Sequence, residues 1–293
     1  MTPRFAAYIA PAQPRAQIWR TVVGLFVTAV VYLALIAAGF AIHTVLFGPS
    51  QTRDLLASMA VSSTPRTLLL VLATFLPMII GLALACRWLH KRRLGSLIGS
   101  GPRALRDFSR AVAVFGLIYG VGLVLYLLFG ASERNLPLGI WLTLLPLTAL
   151  GLLLQTGAAE LLFRGYLQQQ LAARFARPLI WAVLPSVLFG LLHFDPARLG
   201  ETAPYAVVGA TVFGLMAADL TARSGSLGAA WGAHFANNFF AVALLSVDGT
   251  LTGLALRVTD YSIDELTPSP WLAATDLLPM LLAWWLLRRW VVT

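Results

Sequence analysis

Apolar runs long enough to cross a bilayer recur from one end of this chain to the other. A spanning helix needs about 20 predominantly apolar residues at about 1.5 Å of rise each. That measure predicts spans at 18–47, 66–89, 109–130, 138–174, 178–194, 203–222, 226–246 and 270–291. The expected fold class is therefore all-α, a polytopic membrane helical bundle of about eight transmembrane helices with no soluble domain between them. Composition agrees, since 59% of residues are hydrophobic and only 11% are charged, against roughly 25% charged in soluble domains. One integral membrane domain is expected, in three parts: residues 1–137 with the first three helices, 138–246 with the next four, and 247–293 with an outer loop and the last helix. Met1 to Pro14 lack the apolar core that a cleavable signal needs. The lone Cys86 excludes an intrachain disulfide and reads as a small buried thiol.

Charge sets the expected orientation. The N-terminus, the 87–110 segment, Arg174 with Arg177, Arg223, and Arg288 with Arg289 hold 15 basic residues, whereas the opposite helix ends hold five. Basic residues concentrate on the cytoplasmic side of membrane proteins, so both termini are expected there, as an even helix count also requires. Acidic residues such as Asp54, Glu133, Asp195 and Asp248 crowd the other side. The net charge of +9 then reflects a basic face against an anionic inner leaflet, not nucleic acid. This is the pattern of a multi-pass protein of a bacterial plasma membrane; no residue pattern fixes an oligomeric state. Trp19, Trp88, Trp181 and Trp290 fall at the inner interface, Trp141 and Trp271 at the outer one. Leu94 to Arg110 is expected to lie on the inner leaflet as a short amphipathic element. The polar tail of Gln168, Gln169, Gln170 and Arg174 is expected to project beyond the membrane.

Against this apolar background stand Glu160 with Arg164, His193, and His234 with Asn238. An ionisable group in hydrocarbon costs on the order of a few kcal/mol, so each marks a functional site unless it is neutralised locally. The turn at 176–178 sets position 159 or Glu160 level with His193, each about 17 residues from the turn. His234 follows the turn at Gly225 closely enough to join them in one site facing the cytoplasm. Glu160 and Arg164, Phe189 and His193, and His234 and Asn238 are each four apart, hence on one helix face. Taken singly, each has a structural explanation: an intrahelical ion pair, a core imidazole on a carbonyl, polar glue between helices. Together on neighbouring helices they read as a site. Asp219 and Asp276 are further embedded acids, expected to be bonded to neighbours.

These residues carry a resemblance. Ala159-Glu160-Leu161-Leu162-Phe163-Arg164-Gly165 is similar to the Glu-Glu-x-x-x-Arg-Gly motif of the CAAX protease and bacteriocin-processing family of intramembrane proteases. Phe189-Gly190-Leu191-Leu192-His193 matches its Phe-x-x-x-His motif, and His234 to Asn238, after a Gly-Ser-Leu turn, its His-x-x-x-Asn motif. Order and spacing agree over about residues 140 to 245. The resemblance implies an intramembrane endopeptidase that cleaves a membrane-embedded or lipidated peptide near the cytoplasmic side. A glutamate and His193 would activate water, His234 and Asn238 would stabilise the oxyanion, and Arg164 would hold Glu160 ionised. The family includes cleavage of prenylated C-terminal peptides, peptide leaders and membrane-anchored tails, and a prenylated substrate would need a lateral gap between the fourth to seventh helices.

The chain departs from the family at one position. Ala159 stands where the family has its first glutamate, and a methyl group accepts no proton. Glu160 is turned about 100° around the helix from that position, toward Arg164. The expected outcome is a catalytically disabled form, through an inactivating substitution or as a pseudoprotease; the intact remaining motif positions favour the former. No cofactor is expected. The alternative is a zinc protease with Glu160, His193 and His234 as ligands, although a His-Glu-x-x-His pattern is absent. A non-catalytic immunity protein or a transporter forms a further class, the latter without the inverted repeat common in transporters.

Overall fold

The computed structural model describes residues 2–291 and is a polytopic α-helical bundle. α1 (Pro3–Ile9) starts on a Thr2 cap whose hydroxyl accepts from the Phe5 amide. α2 (Ile18–Phe47) ends at Gly48, whose φ of +90° suits glycine. α3 (Pro49–Val61) occupies what reads in sequence as a plain connection. α4 (Pro65–Ala73) and α5 (Leu76–Leu89) divide the second predicted span, because Pro77 has no N–H for the Ala73 carbonyl. α6 (Gly101–Phe129) begins eight residues before the predicted span and absorbs most of the segment expected to lie on the membrane surface. α7 (Leu138–Glu160) runs through a π-helical stretch, Leu161–Leu167, into α8 (Gln168–Arg174).

A π-helical turn at Leu179–Val183 leads into α9 (Leu184–Leu191), and α10 (Pro196–Leu199) into α11 (Ala203–Ser224). α12 (Gly228–Phe239) extends through a π-helical turn to Leu244, and α13 (Pro270–Val291) closes the described chain. Five helical stretches, Ile18–Phe47, Pro65–Leu89, Gly101–Phe129, Leu138–Arg174 and Pro196–Ser224, are long and apolar enough to span a membrane. Leu179–Leu191 is a shorter apolar helix in place of the fifth predicted span. The last two predicted spans are helical over Gly228–Leu244 and Pro270–Val291.

The bundle has two unlike ends. At one, β1 (Ser132–Arg134), β2 (Leu245–Asp248) and β3 (Arg257–Ser262) form a sheet in the order β1-β3-β2, antiparallel between β1 and β3 and parallel between β3 and β2. Strands this short carry too little pattern to be read from sequence, and none was expected there. At the other end the N-terminal segment closes over the bundle, burying Phe5, Tyr8, Ile9 and Ala12. Arg15 and Arg20 donate to the Leu89 carbonyl, and Arg110 to that of Trp290. Most of the basic residues gather at this end.

The glutamines of α8 correct an expectation. Gln168, Gln169 and Gln170 are fully buried rather than projecting. They donate to the Ala218 carbonyl, the Ser96 carbonyl and His90 Nδ1. His90 Nε2 meets Tyr166 Oη at 2.8 Å, and Tyr8 Oη donates to the Leu97 carbonyl. The covering N-terminal segment and the 90–100 connection thus bury a polar layer that sequence alone leaves exposed. Cys86 is buried, as expected.

Candidate active site

Close helix contact brings the motif residues together. A Cβ on Gly228 would overlap the Ala104 carbonyl, and one on Gly232 the Phe108 carbonyl, so α12 lies directly against α6. Small residues permit this approach where apolar burial cannot drive helix association. Trp231 Nε1 donates to Thr156 Oγ1 at 3.2 Å and ties α12 to α7. His234 is thereby set facing Glu160.

Glu160, 0% exposed, takes both available partners on one oxygen. Arg164 Nη1 donates to its Oε1 at 3.0 Å and His234 Nδ1 to the same atom at 2.8 Å. The ion pair is the one expected from the four-residue spacing. The histidine contact joins Glu160 to His234, not to His193. Arg164 is 2% exposed, and its guanidinium lies 4.6 Å from the Phe189 ring centroid and 5.7 Å from that of Phe213. Ring faces attract a cation most strongly where water is excluded. Phe189 therefore serves the site three times: it covers Arg164, meets the His234 ring edge-on at 5.8 Å, and offers its carbonyl to His193 Nδ1 at 2.9 Å.

Those bonds fix both imidazole tautomers. A carbonyl only accepts, so His193 Nδ1 carries a proton and Nε2 is a lone-pair base. The carboxylate of Glu160 likewise draws the His234 proton to Nδ1, leaving Nε2 toward the cavity. Asn238 Nδ2 donates to Gln155 Oε1 at 2.8 Å, Asn237 Nδ2 to Asn238 Oδ1 at 3.1 Å, and Tyr119 Oη to Asn237 Oδ1 at 3.0 Å. Gln155, one turn before Ala159, and Tyr119 were not picked out from sequence. Both are ordinary polar residues whose partners come from other helices, so no local pattern announces them.

His193, His234, Asn237 and Asn238 line a cavity of about 1070 Å³ bounded by α6, α9, α11, α12 and α13. Glu160, Arg164 and Ala159 do not line it. The lining from Ile118 to Tyr126 on α6 and from Trp271 to Met280 on α13 takes the sheet-end half of each helix. The cavity was expected to face the basic end. Its lining lies instead toward the sheet. Ala159 is 6% exposed and packs in the apolar core, with its methyl group as the only side-chain chemistry.

The family profile described as type II CAAX prenyl endopeptidase Rce1-like matches residues 139–240. The uncharacterized protein YyaK of Bacillus subtilis strain 168 is 31% identical over 263 residues, covering 84% of each chain. This chain belongs to the Rce1-like family. No solved structure matches it. As an Rce1-like protein it is a multi-pass integral membrane protein of the CAAX-type protease kind. The matched stretch contains Glu160, Arg164, His193, His234 and Asn238 and stops short of α13.

The alternative zinc set is Glu160, His193 and His234. Among the described residues no three His, Cys, Asp or Glu side chains are grouped to hold a metal ion. Of the two further embedded acids, Asp219 is held as expected, by Arg223 at 2.8 Å, Trp284 Nε1 at 3.1 Å and Arg288 at 3.3 Å. Asp276 departs from expectation: it lines the cavity and has no hydrogen bond or ion pair among the described residues.

Proposed function

We propose that this protein is built as an intramembrane endopeptidase for a membrane-embedded or lipidated peptide, in a bacterial plasma membrane, and that Ala159 removes its water-activating carboxylate. The observation that carries this reading is the convergence of His193, His234 and Asn238 on one cavity, with Glu160 and Arg164 directly behind them. A membrane bundle gains no stability from leaving imidazole nitrogens facing open space. Such placement is what proton transfer to a bound substrate requires.

The chemistry follows from the tautomers. With a carboxylate at 159, water held against His193 Nε2 would lose a proton to that carboxylate and attack the peptide carbonyl carbon. Negative charge then grows on the carbonyl oxygen. To donate from Nε2 to that oxygen His234 must take up a second proton, and Glu160, bonded to Nδ1, would stabilise the imidazolium so formed. The second N–H of Asn238 is the other donor, with Gln155 orienting its amide. The proton returns to the leaving amine as the C–N bond breaks. No metal or cofactor enters this route. In the chain as it stands the first proton transfer has no acceptor at 159, so binding is retained and hydrolysis is disabled.

Substrate enters from the sheet end, where the cavity runs. The basic end faces the anionic inner leaflet, with both termini on that side. Comparing membrane proteomes of cells making the native protein and Ala159→Glu tests the reading. New cleavage products in the variant that vanish with His193→Ala support it, and their absence from a folded variant contradicts it.

A further inference from the structure

α13 brings to the cavity a charge that the family motifs do not include. Among the described residues Asp276 is the only carboxylate in the lining; it is exposed and interacts electrostatically with Tyr119 and Tyr261. Tyr126 and Trp271 line the same cavity. Asp219 shows what a structural acid looks like in this bundle, bonded to two arginines and an indole. Asp276 has no such partners among the described residues. Arg164 does not offset it, because that guanidinium is packed behind Phe189 and outside the lining.

We propose that Asp276, with the rings of Tyr119, Tyr126 and Trp271, forms a subsite for a cationic group, an ammonium or guanidinium carried by the peptide substrate. The proposal rests on the reading of the cavity as a peptide site. The carboxylate opens into a largely apolar cavity with no protein cation in its lining among the described residues, so a cation that reaches it gains more than it would beside an already paired acid. Aromatic faces add to that attraction and favour cations over neutral groups of the same size. Through the bond from Tyr119 Oη to Asn237 the subsite adjoins the asparagines next to His234. It can therefore select the substrate and fix its register together.

The test is binding, which does not depend on hydrolysis. Two dansylated apolar hexapeptides, identical except for a lysine or a norleucine, are titrated into the full-length protein in dodecyl maltoside, a detergent with no cationic group. The native protein should bind the lysine peptide about tenfold more tightly, the effect of one partly desolvated cation contact. Asp276→Asn should lower lysine-peptide affinity to the norleucine level and leave the norleucine peptide unchanged, whereas Asp276→Glu should keep the preference. Retained norleucine binding and an unchanged size-exclusion profile separate loss of charge from misfolding. Equal binding of both peptides by the native protein, or a preference that survives Asp276→Asn, overturns the subsite alone. Failure of either peptide to bind overturns the peptide-site reading beneath it. Added phosphatidylethanolamine that binds through Asp276 when the native protein shows no lysine preference would assign the subsite to a lipid amine and overturn the proposal.

Discussion

At the basic end of the bundle, Gln168, Gln169, Gln170 and His90 are buried and bonded to neighbours, under a lid made by the N-terminal segment. At the sheet end, His193 and Asp276 are exposed and face a cavity. Both regions hold polar side chains at positions a membrane bundle would otherwise fill with leucine. In the first, each side chain is held by at least one hydrogen bond, although Oε1 of Gln168 and of Gln170 is buried without one, and the result is a fixed layer. In the second, atoms able to exchange protons or bind a cation are left without protein partners. Glu160, Arg164 and His234 join the two, since Glu160 is sealed like the first region while His234 reaches into the second. Polarity alone therefore does not mark a functional residue in this fold; polarity turned toward open space does.

The largest effect should come from breaking the sealed part. Arg164→Met would leave the Glu160 carboxylate buried beside His234 without its permanent cation. Removing one partner of a buried ion pair costs about 3–5 kcal/mol, and thermal unfolding in detergent should show a loss of that order. A loss below about 1 kcal/mol would mean that Glu160 is solvated and that the two regions are not distinct.

Next in size is the response to acid. Burial, with help from the nearby Arg92 charge, lowers the His90 pKa to about 4, against 6.5 for the free group. Its neutral form is thus favoured by folding, so the stability it contributes is complete above pH 6.5 and is lost as pH falls from there toward 4. Melting temperature should drop across that window, and His90→Gln should flatten the drop. A profile that His90→Gln leaves unchanged would separate the layer's stability from this imidazole.

The smallest effect should be at the cavity wall. His193→Ala removes an exposed ring with one hydrogen bond to a carbonyl, and stability should change by no more than about 0.5 kcal/mol. Together with Arg164→Met this sharpens the contrast, because both are motif positions and only one is built into the core.

Much of this was legible in the sequence. The apolar runs placed the helices, and the four-residue spacing gave the Glu160–Arg164 pair. What escaped depended on contacts between distant segments. The His234–Glu160 bond requires knowing which way α12 is rolled against α6, and that is set by the glycine contacts at Gly228 and Gly232. The burial of Gln168 to Gln170 depends on a segment more than 150 residues away. The break at Thr74–Phe75 was within reach through Pro77, but the three-stranded sheet was not, since its strands are three to six residues long and β1 pairs with a strand more than 120 residues away.

The central claim is that a working hydrolytic site lacks one carboxylate, at position 159. The most direct measurement is the cleavage rate of a fluorogenic membrane peptide by purified native and Ala159→Glu proteins in the same detergent. The account predicts cleavage by Ala159→Glu at least about 100-fold faster than by the native protein, the lower range for a positioned general base, and its loss when His193→Ala is added. Equal rates for the two proteins, or cleavage that persists without His193, would contradict it.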